Sequence, residues 1–102
     1  MFKNDGYETA AYNQIVPEDT RMFIRRVIQR ISDKSDTDYL QVFTLKPVKI
    51  KGKTVQEIKN TQEEPDKDHT YRLILPDDQI ITEKIYVIDN LESHTYMIAS
   101  EY

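Results

Sequence analysis

The stretch PEDTRMFIRRVIQRISD, residues 17–33, predicts the main helix of the chain and thereby decides the fold class. Pro17 suits the first helical position, where a missing N–H costs nothing. The acidic side chains of Glu18 and Asp19 would lie in the first turn, where the helix dipole favours anions. The residues that recur at helical spacing on one face are Thr20, Phe23, Ile24, Val27, Ile28 and Ile31. This apolar face must be buried against another element.

The opposite face of this predicted helix is strongly basic and holds the candidate binding residues. They are Arg21, Met22, Arg25, Arg26 and Arg30. Arginine is enriched where protein interfaces concentrate their binding energy, and methionine adapts its shape to different partners. An ordinary solvated helix face is the alternative interpretation of the same pattern. As a functional surface, this face predicts docking of an acidic protein or of phosphate groups.

Segments rich in β-forming residues follow the helix and predict a sheet. They are residues 39–45, 48–51, 54–62, 71–75, 80–89 and 94–100, with residues 7–12 as a candidate edge strand. Short connections between consecutive strands favour antiparallel hairpins. We therefore predict an α+β fold with a single globular domain over residues 1–102. One main α-helix would pack on one face of a mostly antiparallel β-sheet of about five to six strands.

Charge is unevenly distributed along the 102 residues, which carry a net charge of −4. Residues 46–59 contain five lysines against one glutamate, and residues 60–78 contain six acidic residues against two basic ones. Neither a uniformly basic nucleic-acid binder nor a uniformly acidic DNA mimic fits this pattern. A bipolar surface suits a protein partner steered by charge, or a dimer with opposite patches apposed, and plain solvation is the alternative.

The sequence contains no catalytic motif. It has no cysteine, its two glycines are too few for a phosphate-binding loop, and no serine lies in a nucleophile elbow. The two histidines, His69 and His94, are far apart in the sequence. The acidic segment 63–69 lacks the spacing of a calcium loop and predicts a solvated connection between strands. We expect no enzymatic activity, no cofactor and no metal site.

Nucleic-acid binding is the second hypothesis for the basic residues. Lys49, Lys51 and Lys53 lie at the end of a predicted strand and the turn after it, and would act together with the arginines. The seven tyrosines suggest a further alternative, an aromatic sheet face that stacks bases, although strand tyrosines mostly pack with their hydroxyls in water. We favour an unknown protein partner over nucleic acid, with the chain a monomer or a weak homodimer.

Four segments of the chain resemble a known family. They are MFKNDGY at 1–7, DYLQVF at 38–43, YVID at 86–89 and MIASEY at 97–102. They are similar to the domain of unknown function 960 family, short proteins of Firmicutes and their phages and mobile elements. The resemblance implies a cytoplasmic protein without a known cofactor and supplies no catalytic residue.

The N-terminal residues lack a signal-peptide pattern, and no apolar run approaches the length of a membrane span. We therefore expect neither secretion nor membrane contact. With the family resemblance, the basic helix face predicts a non-enzymatic interaction or regulatory module, connected with phages or mobile elements.

Overall fold

The computed structural model describes residues 1–102 and confirms an α+β fold with one main helix and one mostly antiparallel sheet. The helices are α1 (Ala10–Ile15) and α2 (Glu18–Ile31). The strands are β1 (Asp5–Glu8), β2 (Leu40–Ile50), β3 (Lys53–Gln62), β4 (Lys67–Leu73), β5 (Glu83–Asp89) and β6 (Ser93–Ile98). Two short 3-10 turns follow β4 and β6, at Asp77–Gln79 and Ala99–Glu101.

All six strands form one sheet in the order β1-β6-β5-β2-β3-β4. β1 runs parallel to β6, and every other neighbouring pair is antiparallel. The two edges of the sheet are therefore β1 and β4. The parallel pair brings the first strand of the chain beside the last one.

Both helices lie on the same face of the sheet, so the molecule has two layers. Ile24 and Ile28 of α2 are at most 1% exposed and belong to one apolar cluster with Phe43 of β2. Since α1 and α2 both pack into this cluster, neither helix covers the other face of the sheet, to which the alternate strand residues point. Phe23 and Ile31 are only half-buried and lie at the margin of the cluster. No helix has the length and apolar character needed to cross a membrane.

β2 runs without interruption through Pro47, where the sequence predicted two separate strands. Beyond Leu45 this strand is no longer paired with β5 and keeps β3 as its one neighbour. Proline donates no backbone hydrogen bond and is tolerated where one side of a strand is free. The predicted boundary at Pro47 is therefore wrong, because the sheet is narrower at that point.

The predicted edge strand over residues 7–12 is correct only in its first part. β1 ends at Glu8, and α1 begins at Ala10. The hydroxyl of Thr9 accepts a hydrogen bond from the backbone N–H of Tyr12 at 3.2 Å and caps the helix. A cap of this kind outweighs the strand propensity of the neighbouring tyrosines.

The connection between β4 and β5 is held against the sheet by a buried amide. The side-chain oxygen of Gln56 accepts from the Ile81 N–H at 2.8 Å, and its Nε2 donates to the Ile81 carbonyl at 3.0 Å. The backbone of Ile81 is thus bonded to a side chain and not to a neighbouring strand. The predicted strand 80–89 is therefore too long at its start, and β5 begins at Glu83. β4 begins at Lys67, which lies inside the predicted acidic loop 63–69, so this strand starts earlier than the predicted strand 71–75.

Candidate interaction surface

Two of the predicted docking arginines are tied to the edge strand β1. Arg21 Nη1 lies 3.1 Å from Glu8 Oε1, and Arg25 Nη2 lies 3.3 Å from Glu8 Oε2. Arg21 Nε also donates to the Val16 carbonyl at 2.9 Å. The guanidinium carbon of Arg25 is 4.6 Å from the ring centroid of Tyr96, a cation–π distance. These contacts hold α2 against β1.

The charge of Glu8 is well supported by its neighbours. Burial raises the pKa of this carboxyl, but hydrogen bonds from Asn13, Arg25 and Arg21 outweigh burial and hold the pKa below its usual value. Asn13 Nδ2 is 3.0 Å from Glu8 Oε1. One carboxylate therefore serves as the acceptor for both arginines.

The other three predicted residues, Met22, Arg26 and Arg30, are exposed to solvent. Met22 is 47% exposed, and neither of these arginines has a carboxylate within ion-pair distance. Met22 and Arg26 line an open groove of about 200 Å³ whose far wall is the end of β4. We call it the Met22–Ile74 groove; its lining residues are Asp19, Met22, Phe23, Arg26, Leu73, Ile74 and Leu75. Arg30 lies one turn further along the same helix face.

The groove lies beside a free sheet edge. β4 pairs with β3 alone, so the backbone groups on its outer side have no strand partner. Phe23 packs edge-on against Tyr71 of β4, with ring centroids 5.1 Å apart, and thereby seats α2 over this edge. Ile74, directly after the strand, is 75% exposed. An apolar pocket next to unpaired backbone is the arrangement that receives an added strand.

Sequence reasoning found Met22 and Arg26 but missed Ile74 and Leu75. A usable signal was present, since Leu73, Ile74 and Leu75 are consecutive apolar residues and adjacent strand positions face opposite sides. At least one of the three therefore had to be exposed. The prediction placed all three in a strand over residues 71–75, whereas β4 ends at Leu73 and leaves Ile74 and Leu75 outside the strand.

The three lysines of the second hypothesis are exposed at the turn between β2 and β3. Lys51 has a positive φ of 51°, and Gly52 follows it with φ 81°, which makes the turn tight. Because Gln56 pairs with Leu73, Lys53 lies roughly 10 Å beyond that pair at ordinary strand rise. Lys49, Lys51 and Lys53 therefore lie at the same end of the sheet as the Met22–Ile74 groove.

A family model described as a Staphylococcal protein of unknown function (DUF960) matches residues 5–101. The chain belongs to the DUF960 family. A crystal structure of a protein of unknown function from Enterococcus faecalis has a similar fold, with a TM-score of 0.69 over 100% of this chain and 98% of that one. The two sequences are 16% identical, so the likeness concerns the fold alone. No curated protein matches the chain.

In this DUF960 protein, His94 belongs to a buried network around the β1–β6 pair. His94 Nδ1 is 2.7 Å from Asn4 Oδ1, and its Nε2 is 3.2 Å from the Tyr96 hydroxyl. Asn4 Nδ2 donates to Asp89 Oδ1 at 2.9 Å. Burial lowers the pKa of His94, although nearby Asp89 acts in the opposite direction. A neutral imidazole that donates from Nδ1 and accepts at Nε2 fits these partners.

The other residues considered for chemistry lie apart from this network. His69 is exposed on β4, and the acidic residues of the segment 63–66 lie in the turn between β3 and β4. No three histidine, aspartate or glutamate side chains lie close enough together to hold a metal ion. The Met22–Ile74 groove combines exposed apolar side chains with the unpaired backbone of a sheet edge.

Proposed function

We propose that this protein is a non-enzymatic interaction module that binds an extended, acidic segment of a protein partner at the Met22–Ile74 groove. The observation that carries the proposal is the exposure of Met22 and Ile74 on one groove beside the free edge of β4. A strand added to β4 would gain backbone hydrogen bonds, and one of its apolar side chains would enter the groove.

The charges around the groove support an acidic partner. Arg26 and Asp19 both line it, and Arg30 follows Arg26 one turn later. Neither arginine is engaged by a carboxylate, so the two positive charges exceed the single negative charge of Asp19. The lysine-rich β2–β3 turn adds positive charge at the same end of the sheet. Carboxylates flanking an apolar anchor would be attracted by these groups, which mainly accelerates association and selects the partner.

Site-specific photo-crosslinking tests this proposal. A benzophenone amino acid at position 74 should capture a partner in native lysate, and the captured peptide should contain an apolar residue flanked by Asp or Glu. The matched control is the same amino acid at Leu91, which is 81% exposed but lies in the β5–β6 turn. Equal capture at both positions, or a basic captured peptide, would contradict the proposal.

A second candidate function is nucleic-acid binding through Arg26, Arg30 and the lysines of the β2–β3 turn. Its support is that these lysines are exposed at the same end of the sheet as the groove. Each phosphate contact would add about −0.9 to the slope of log affinity against log salt. A slope near zero for a labelled oligonucleotide, or capture at position 74 that survives nuclease treatment, would exclude it.

We also propose a cytoplasmic location for this interaction module and a connection with phages or mobile elements.

A further inference from the structure

The sheet face opposite the helices carries two open grooves that join into one trough. The first has a volume of about 620 Å³ and is lined in part by Leu40, Val42 and Tyr86. The second, of about 530 Å³, crosses β2, β3 and β4 and has no apolar lining residue. Thr44 and Thr61 line both grooves. We call this continuous surface the open face.

Charges of opposite sign occupy the two ends of the open face. The acidic end is formed by Asp38, Glu63, Glu64 and Asp66. The basic end is formed by Lys46, Lys59, Arg72 and Lys84. The two ends are therefore different in charge but belong to one surface.

The strand register fixes how far apart these ends lie. Thr61 pairs with Val42, so Glu63 lies beside the beginning of β2. Lys46 is six residues further along β2, which is roughly 20 Å at ordinary strand rise. Within the basic end, Glu57 meets Lys46 at 3.9 Å and Arg72 at 3.7 Å, so that end keeps an excess of positive charge.

This pattern is self-complementary under two-fold symmetry. In a face-to-face dimer, an axis lying between the two sheets and running across the strands places each end of one copy over the opposite end of the other. Strands of the two sheets would then run nearly in line, as in aligned sheet packing. The half-buried apolar side chains near the acidic end, such as Val42 and Tyr86, would meet the alkyl stems of the partner's lysines.

Other occupants satisfy only one end of the open face. A nucleic-acid strand would meet the basic end but would be repelled by the four carboxylates. A cationic ligand would suit the carboxylates but would meet Lys84, which lines the same groove and has no ion-pair partner. A second copy of the chain supplies both signs at the required spacing.

We propose that the open face is a homodimer interface, in which the acidic end of each copy lies on the basic end of the other. This surface is opposite to α2, so it leaves the Met22–Ile74 groove accessible. The dimer is independent of the proposed function, and either can fail without the other.

Sedimentation velocity with charge-reversed variants tests the dimer. The wild type should shift from monomer to dimer as its concentration rises. At 0.5 M salt the Debye length is only roughly 4 Å, so the attraction between the charged ends is screened and the dimer should dissociate more readily. Lys59→Glu with Lys84→Glu reverses two of the four positive charges of the basic end, and Glu63→Lys with Asp66→Lys reverses two of the four negative charges of the acidic end. All four substituted residues are exposed to solvent, so both variants should fold. Each variant alone should raise the dimer dissociation constant about tenfold or more.

Mixing the two variants should restore association as a heterodimer, because the unaltered acidic end of one meets the unaltered basic end of the other, and the reversed charges meet each other with opposite signs. The matched control is Lys34→Glu with Lys49→Glu, which makes the same charge change outside the open face and should dimerise like the wild type. A wild type that stays monomeric at about 1 mM would overturn the proposal, because even a millimolar dissociation constant is visible at that concentration. Dimerisation that the variants do not affect would also overturn it and would place the contact at the β4 edge. A third contrary result is the absence of a heterodimer on mixing. Binding of a single-stranded oligonucleotide that is lost in Lys59→Glu with Lys84→Glu would also overturn it, by assigning the face to nucleic acid.

Discussion

Arg21 and Glu8 join α2 to the edge strand β1, with Nη1 and Oε1 3.1 Å apart and both side chains only 19% exposed. Arg25 binds the second oxygen of the same carboxylate. A partly buried charge that loses its partner costs more than an exposed one, because water replaces the lost contact only in part. The arginine-rich helix face therefore combines residues that hold the fold with residues that are free to bind.

We predict that Glu8→Gln lowers the free energy of unfolding by about 1–3 kcal/mol, because two arginines lose their charged acceptor. Urea unfolding at neutral pH measures this difference. The matched control is Asp33→Asn, which removes the ion pair between Asp33 and Lys3. The Lys3 side chain is 67% exposed and the Asp33 side chain is 80% exposed. That change should stay within about 0.5 kcal/mol. Equal losses in both variants would show that the β1 contact has no special weight.

Arg21→Gln and Arg26→Gln should separate the two roles within α2. Arg21→Gln should destabilise the fold, because it leaves Glu8 with one arginine, whereas Arg26→Gln should stay within about 0.5 kcal/mol of wild type. The affinity for the partner captured at position 74 should fall in Arg26→Gln, since Arg26 lines the groove. A stable Arg21→Gln protein with unchanged unfolding would contradict the structural role of the pair.

Asp89 should make stability fall with acid. Burial raises the pKa of this carboxyl, but N–H donors from Phe2, Asn4 and Leu91, each at 2.9 Å, hold the pKa below its ordinary value of 3.8. A group whose folded pKa is lowered contributes its stability above the unfolded pKa and loses it as the pH falls through the folded pKa. Wild-type stability should therefore decrease from about pH 4 downward.

The matched variant is Asp89→Asn, measured by urea unfolding between pH 7 and pH 3. It should be less stable than wild type at pH 7, and the difference should shrink as the pH falls. A constant difference over the whole range would show that the charge of Asp89 does not stabilise the native state.

Gly6→Ala should disturb the buried network next to β1. A methyl group at this position would lie 2.6 Å from His94 Nε2 and 3.0 Å from Arg25 Nη1. His94 is held by Asn4 and Tyr96 and cannot move freely, so we expect a loss of about 1–3 kcal/mol. In Gly6→Ala with His94→Ala, the added methyl group should cost less than in the wild-type background. Additive losses in thermal unfolding would contradict the clash.

The apolar groove should be dispensable for folding. Ile74→Ser removes a side chain that is 75% exposed, and the free energy of unfolding should change by no more than about 0.5 kcal/mol. Ile28→Ala, at a position 1% exposed, should cost about 2–5 kcal/mol. Comparable losses in both variants would mean that Ile74 supports the core and is not a free binding residue.

The sequence predicted the fold class well because α2 has a strong helical period and the strands are rich in β-forming residues. It predicted the core less well, because buried amides look like solvent-facing residues in a sequence. Gln41, Gln56 and Asn60 are at most 4% exposed, and each bonds to neighbouring strands or loops. Their partners are distant in the chain, so no local pattern reveals that these amides are satisfied.

The candidate surface was predicted in part for a similar reason. Helical spacing placed five residues on one polar face, but it could not show that Arg21 and Arg25 would meet Glu8 from another element. Nor could it show that Ile74 would face Met22. Which member of a helix face remains free depends on the elements beside it, and those are set by tertiary packing.

The parallel pairing of β1 with β6 gives the sheet one edge that can open separately. The backbone N–H of Phe2 binds Asp89 across 87 residues of sequence, so docking this segment closes a loop of almost the whole chain. β1 has four residues, and its amides should exchange with solvent hydrogen earlier than those of β2. Opening of β1 also withdraws Glu8, which deprives Arg21 and Arg25 of their shared carboxylate and exposes the backbone edge of β6. Fraying of one short strand thus leaves every arginine of this helix face without an acidic partner.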